Sequence, residues 1–105
     1  MSDQDNTILR EFAERVRAVL PDAEVIAFGS RVLGTATWES DFDLCVVSAQ
    51  MNSQMDEKIS EIAWETGFPY DVVISTVTYN KEEYHSGRFT VSPLVQVIKL
   101  MGIAA

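Results

Sequence analysis

Apolar residues recur at helical spacing in the first fifth of the chain. Ile8, Phe12, Val16 and Leu20, joined by Leu9 and Ala13, stand between polar positions until Pro21 ends the pattern. A period near 3.6 that stops at proline predicts an amphipathic helix over residues 7–20, with Asn6 or Thr7 as its cap. After the Pro21-Asp22 turn, Glu24–Phe28 is a short, mostly apolar run broken by Gly29, which predicts a buried strand with a turn at its carboxyl end. Ser30–Leu33 reads as a brief helix closed by Gly34. A polar loop over 35–40 then leads to a second strand through Phe42, Leu44, Val46 and Val47. Met55, Ile59, Ile62 and Ala63 return to helical spacing within Asn52–Trp64, with Gly67 as the stop, and Pro69 marks entry to a third strand, Tyr70–Val77. Ser92-Pro93 opens a last helix over 92–102, carrying Leu94, Val95, Ile98 and Met101.

Strands that alternate with helices in this order predict an α/β domain, a small sheet flanked by helices, with the strand directions left open. At 105 residues the chain can bury one ordinary core, so a single domain spanning 1–105 is expected. A hydrophobic share of 47% excludes a disordered acidic chain. The charge narrows the function classes. Sixteen acidic residues against eight basic ones give a net charge of -8, and the basic residues form no dense run. Sequence-independent binding to nucleic acid or to an anionic membrane through a basic stripe is thereby disfavoured. No apolar run approaches the ~20 residues that cross a bilayer, and Met1–Arg10 has no signal-peptide core, so a soluble, cytoplasmic protein is expected. Cys45, the only cysteine, permits no internal disulfide and supplies no cysteine-rich metal site, in keeping with a reducing compartment.

The candidate chemistry lies in Phe28-Gly29-Ser30-Arg31 and in Ser40-Asp41-Phe42-Asp43-Leu44. Aspartate is depleted in strands, and residues two apart on a strand share a face, so Asp41 and Asp43 set two like charges side by side. A hard divalent cation such as Mg2+, which takes oxygen ligands, would offset that repulsion. The competing reading puts Asp41 in the loop and Asp43 on a solvated face. Asp71 is a third acid among residues that suit a buried strand, and it reads either as a neighbour of that pair or as a strand-start residue after Pro69. Gly29-Ser30, between a strand and a helical turn, allows a phosphate to approach the backbone and offers it a hydroxyl. Arg31 could meet phosphate with paired donors, or form a surface ion pair with Glu39 or another acid.

Gly29-Ser30, ten residues, then Asp41-x-Asp43 with apolar neighbours resembles the motif of the DNA polymerase beta nucleotidyltransferase superfamily. With its small size and Asp71, the chain is similar to the minimal nucleotidyltransferases, which are often paired with a HEPN-family partner in toxin-antitoxin systems. The resemblance runs from Glu24 onward, with the motifs between 24 and 77, and departs at Leu33, where a second basic residue is usual. It implies a small mixed sheet, a catalytic site of Asp41, Asp43 and Asp71 that holds two Mg2+ ions, with Asp71 helping to activate the acceptor hydroxyl, and triphosphate binding by Gly29, Ser30 and Arg31. The activity it implies is transfer of a nucleoside monophosphate, AMP from ATP, to a hydroxyl of a protein partner. Two other readings stand beside it: a non-catalytic antitoxin-like module that neutralises a HEPN toxin by contact, and a small-molecule transferase of the aminoglycoside-modifying kind. The last would need a second chain or a homodimer to complete the acceptor site.

Other residues carry less chemistry. His85 has no histidine or cysteine nearby and is expected on a surface loop. Trp38 and Trp64 could stack on a nucleobase or on a partner, but packing is the expectation, and Glu57, Glu61 and Glu65 beside Lys58 mark a solvated helix face.

Overall fold

The first helix starts where hydrogen bonding, not hydrophobicity, dictates. In the computed structural model, which describes residues 1–105, α1 spans Asp3–Val19 and is capped by Ser2 instead of Asn6 or Thr7. The Ser2 hydroxyl accepts from the Asp5 amide at 3.0 Å, and the Asp5 carboxylate accepts from the Ser2 amide at 3.3 Å. This reciprocal capping box satisfies two amides of the first turn, so the helix extends back past its first apolar residue.

The remaining elements are β1 (Glu24–Phe28), α2 (Ser30–Leu33), β2 (Phe42–Ser48), α3 (Ser53–Gly67), β3 (Ile74–Asn80), α4 (Lys81–His85), α5 (Pro93–Met101) and β4 (Ile103–Ala104). They form one mixed sheet in the order β3-β2-β1-β4. The β1 strand runs antiparallel to both β2 and β4, and β2 runs parallel to β3. A parallel pair needs a crossover, and α3 supplies it. No helix is long and apolar enough to cross a membrane.

Alternation along β2 divides the interior in two. Phe42, Leu44 and Val46 join Ile8, Phe12, Val16, Val25, Ala27, Ile59 and Ile62 under α1 and α3. Cys45 and Val47 face the other way, with Phe28, Tyr84, Val95 and Ile98 under α4 and α5. Cys45 is fully buried, and burial, with Glu24 as a secondary cause, pushes its thiol pKa up to about 12, so it packs as an apolar group.

The sheet departs from the sequence reading mainly at β3. That strand begins at Ile74 rather than Tyr70, because Phe68–Tyr70 continue α3 as a 3-10 turn and Asp71 adopts a left-handed conformation, φ 56°. Gly67 permits this turn: a Cβ there would strike the Val72 carbonyl. Aspartate tolerates positive φ better than most residues, which accounts for an acid at a position that reads as strand interior. The strand then runs to Asn80, whose side chain accepts from the Glu82 and Glu83 amides and starts α4. Neither α4 nor β4 was expected.

Arg31 joins three separated segments. Its Nη1 donates to Asp5 at 2.7 Å, while Nε and Nη2 donate to the Ser40 carbonyl at 3.3 and 2.6 Å. The guanidinium also lies 5.6 Å from the centre of the Phe42 ring. The two charged side chains are only 10% and 7% exposed, so this is a buried pair within a larger hydrogen-bonded unit, not the surface pair with Glu39. Removing one member of such a pair strands the other charge out of water. Asp5→Ala should therefore lower the unfolding free energy by about 3–5 kcal/mol in urea titrations, with Arg31→Met of similar size. The double variant should lose clearly less than the sum; additive losses would show that the pair is not coupled.

Candidate active site

The end of β1 and the start of β2 are brought together by their antiparallel register, in which Phe28 faces Asp43. Gly29 follows with φ 82° and ψ -157°, a conformation open essentially only to glycine. A Cβ at this position would also collide with Asp43 Oδ2. Backbone conformation and the closeness of the carboxylate therefore each require glycine here, and Ser30 opens α2 directly beside it.

Asp43 is half-buried on the face that carries Cys45 and Val47, and Asp41 is exposed just before the strand. Burial first, and the negative charge of Asp41 second, raise the Asp43 carboxyl above the ordinary carboxylate value. Neither carboxylate belongs to an ion pair. One half-buried and one exposed carboxylate, both unpaired and close enough to repel, form a donor set that suits a hard divalent cation. The sheet thus brings together four of the expected residues: Gly29, Ser30, Asp41 and Asp43.

It does not bring Asp71 to them. No group of three acidic, histidine or cysteine side chains is placed to hold a metal. In the parallel register of β2 and β3 the partner of Asp43 is Ser75, so Asp71 would need a four-residue shift to stand opposite it. Paired residues in a parallel ladder share a face, so Ser75 is the β3 side chain beside Asp43, while Ile74 packs into the α3 core. Asp71 instead lines a cavity of about 410 Å³ with Trp64, Phe68 and Val72, on the α3 side of the sheet. Asn80 before Glu82 and Glu83 is a helix cap and fixes where β3 stops, but it does not give the register that sets Ser75 opposite Asp43.

Arg31 also departs from the expected role. All three of its donor nitrogens are engaged with Asp5 and Ser40, so it braces the loop that delivers Asp41 and does not present a free fork to phosphate. Leu33 is half-exposed. His85 lies on α4, not in a loop, where Nε2 and Glu24 Oε2 are 2.8 Å apart. Trp38 and Trp64 were expected to pack, yet both are exposed. Glu57, Glu61 and Glu65 are exposed as expected, with loose pairs Lys58–Glu61 at 3.6 Å and Arg15–Glu65 at 4.0 Å. Asp41 and Asp43 line none of the three cavities, so the site is an open ledge at the sheet end.

A small mixed sheet that sets an Asp-x-Asp pair against a Gly-Ser turn defines a nucleotidyltransferase. The chain belongs to the nucleotidyltransferase domain family, which matches residues 8–96, and is a nucleotidyltransferase of the polymerase beta-like fold. A relative from Methanocaldococcus jannaschii, named as a putative protein adenylyltransferase, is 34% identical over 77 residues, which are 70% of this chain and 78% of the relative. The fold is also similar to that of a chain in a crystal structure of a toxin-antitoxin with AMP-PNP. The TM-score is 0.64 at 21% identity, over 90% of this chain and 69% of the other.

The raised Asp43 carboxyl fixes the sign of a pH effect. A group with its folded pKa above its unfolded value favours the fold at low pH and loses that contribution as pH rises through the folded pKa. In the presence of a chelator, Asp43→Asn should therefore be more stable than the parent near pH 7. The gap should narrow as pH falls through the Asp43 pKa and vanish below the ordinary value of 3.8. Urea titrations of both proteins across this range measure it, and a pH-independent gap would contradict the assignment.

Proposed function

We propose that the chain transfers AMP from ATP to a hydroxyl of a protein partner, with Mg2+ held by Asp41 and Asp43. The observation that carries this reading is the Asp43 carboxylate, packed against Gly29 and left without a cationic partner beside Asp41. The M. jannaschii relative, by its name, points to a protein acceptor, and the AMP-PNP in the structural neighbour points to an adenine nucleotide.

In this scheme the Gly29 backbone and the Ser30 hydroxyl hold the triphosphate, and Asp41 and Asp43 are the residues that would hold Mg2+. Bound Mg2+ would supply charge neutralisation there and make the acceptor hydroxyl easier to deprotonate. The acceptor oxygen forms a bond to the α-phosphorus, the bond to pyrophosphate breaks, and the hydroxyl proton passes to solvent. The open ledge leaves room for an acceptor carried on another chain. A HEPN-family protein is the partner that the sequence resemblance implies.

Ser75 beside Asp43 and the engagement of Arg31 favour one other reading, a slow or silent transferase that neutralises its partner by contact. A double Asp41→Asn, Asp43→Asn variant that still neutralises the toxin would support it over modification.

The purified chain, given Mg2+, α-labelled ATP and the protein encoded beside it, should label that protein. Asp43→Asn should reduce labelling on the order of 100-fold. Absence of label with every nucleotide sinks the transferase reading. Ser75→Asp should place a third carboxylate beside Asp43 and tighten Mg2+ binding several-fold by calorimetry. An unchanged affinity would remove Ser75 from the site.

A further inference from the structure

A second surface feature lies on the opposite side of β3 from the carboxylates. Trp64 and Phe68, one turn apart at the end of α3, stack edge to face with ring centres 4.6 Å apart. They are 63% and 67% exposed, and with Val72, Val73 and Ile74 they make an apolar cavity of about 410 Å³. Large aromatic side chains are seldom left this open without a use. Asp71 stands in the wall of the cavity, exposed and without an ion pair. Along the same helix Asp56, Glu57, Glu61 and Glu65 outnumber Lys58 four to one.

We propose that this cavity receives an arginine or lysine side chain, flanked by apolar residues, from the protein partner that brings the acceptor hydroxyl. The proposal rests on the protein-acceptor reading for the identity of the partner, but the cavity's chemistry is separate from catalysis. An indole face attracts a cation through its quadrupole, and a carboxylate a few residues away completes a site for positive charge set in apolar walls. The charge of the whole chain selects among occupants. A second copy at net charge -8 would bring acid against acid, and a nucleic acid or an anionic membrane would be repelled in the same way. A basic protein segment is attracted.

Position adds the link to the reaction. Ile74 lines the cavity, and the next residue, Ser75, is the neighbour of Asp43 in the sheet. The Val73 carbonyl accepts from the Phe42 amide at 2.8 Å, which fixes the cavity floor to the segment that carries both acids. A partner held here is held at the end of the sheet where transfer occurs.

The test uses the full chain and two peptides, acetyl-leucyl-arginyl-leucinamide and its uncharged isostere with citrulline in place of arginine, followed by amide and indole NMR shifts. The arginyl peptide should move the Trp64 indole, Asp71 and Ile74 signals, and the citrulline peptide should bind about tenfold more weakly. Trp64→Ala and Asp71→Asn should each weaken the arginyl peptide, while Asp43→Asn should leave it unchanged even if that variant transfers no nucleotide. Equal binding of the two peptides, shifts confined to other surfaces, or no shifts at millimolar peptide would overturn the proposal. So would a dimer in sedimentation that Trp64→Ala dissolves, which would give the cavity to a second copy, or indole shifts produced by AMP alone.

Discussion

The Arg31–Asp5 pair is the constraint on which the rest of the site depends. One carboxylate closes the first turn of α1 through Ser2 and, with its other oxygen, holds a guanidinium that in turn holds the Ser40 carbonyl. Segments 26 and 9 residues apart in sequence are thereby fixed to each other. Most residues between Gly34 and Asp41 are exposed, so little hydrophobic burial is available to place this loop. The task falls to directional bonds, whose strength is greatest where water is excluded. Asp41 enters the sheet from a position set by a helix that contributes no residue to the chemistry.

The site itself is in electrostatic tension. Antiparallel pairing forces Asp43 against Gly29, and extended geometry keeps Asp41 on the same side, so burial and like charge both oppose ionisation of Asp43. A structure selected only for stability would place an apolar or hydrogen-bonded residue there. On the proposed reading a bound cation would relieve this tension. Such local conflict between sequence and stability is the usual mark of a working site.

Features set by neighbours in sequence were legible. The β1 and α2 boundaries and the glycine turn depend on local pattern and stand where the residues suggested; of the Asp-x-Asp pair, Asp43 lies half-buried on the strand, while Asp41 lies in the loop just before it, as the competing reading had it. What escaped depends on contacts distant along the chain. Val72, Val73 and Ile74 are apolar on both faces, so they conceal the start of β3, and Asp71 looked like strand because its left-handed backbone leaves no mark in hydrophobicity. β4 is two residues long and exists only by pairing with β1. Arg31 could be seen as a phosphate ligand or a surface ion because its true partner lies in the polar first turn of α1, where no period points to it. Ser75 becomes visible only once the register between two parallel strands is known.

The parallel pairing of β2 and β3 has a further consequence. Because α3 is the strap that carries the chain from one strand to the other, neither of its ends can drift without dragging a strand with it. The helix is thus a rigid gauge: the packing of Ile59 and Ile62 on the sheet and the Phe42–Val73 hydrogen bond hold whatever grips its far end at a set position relative to β2.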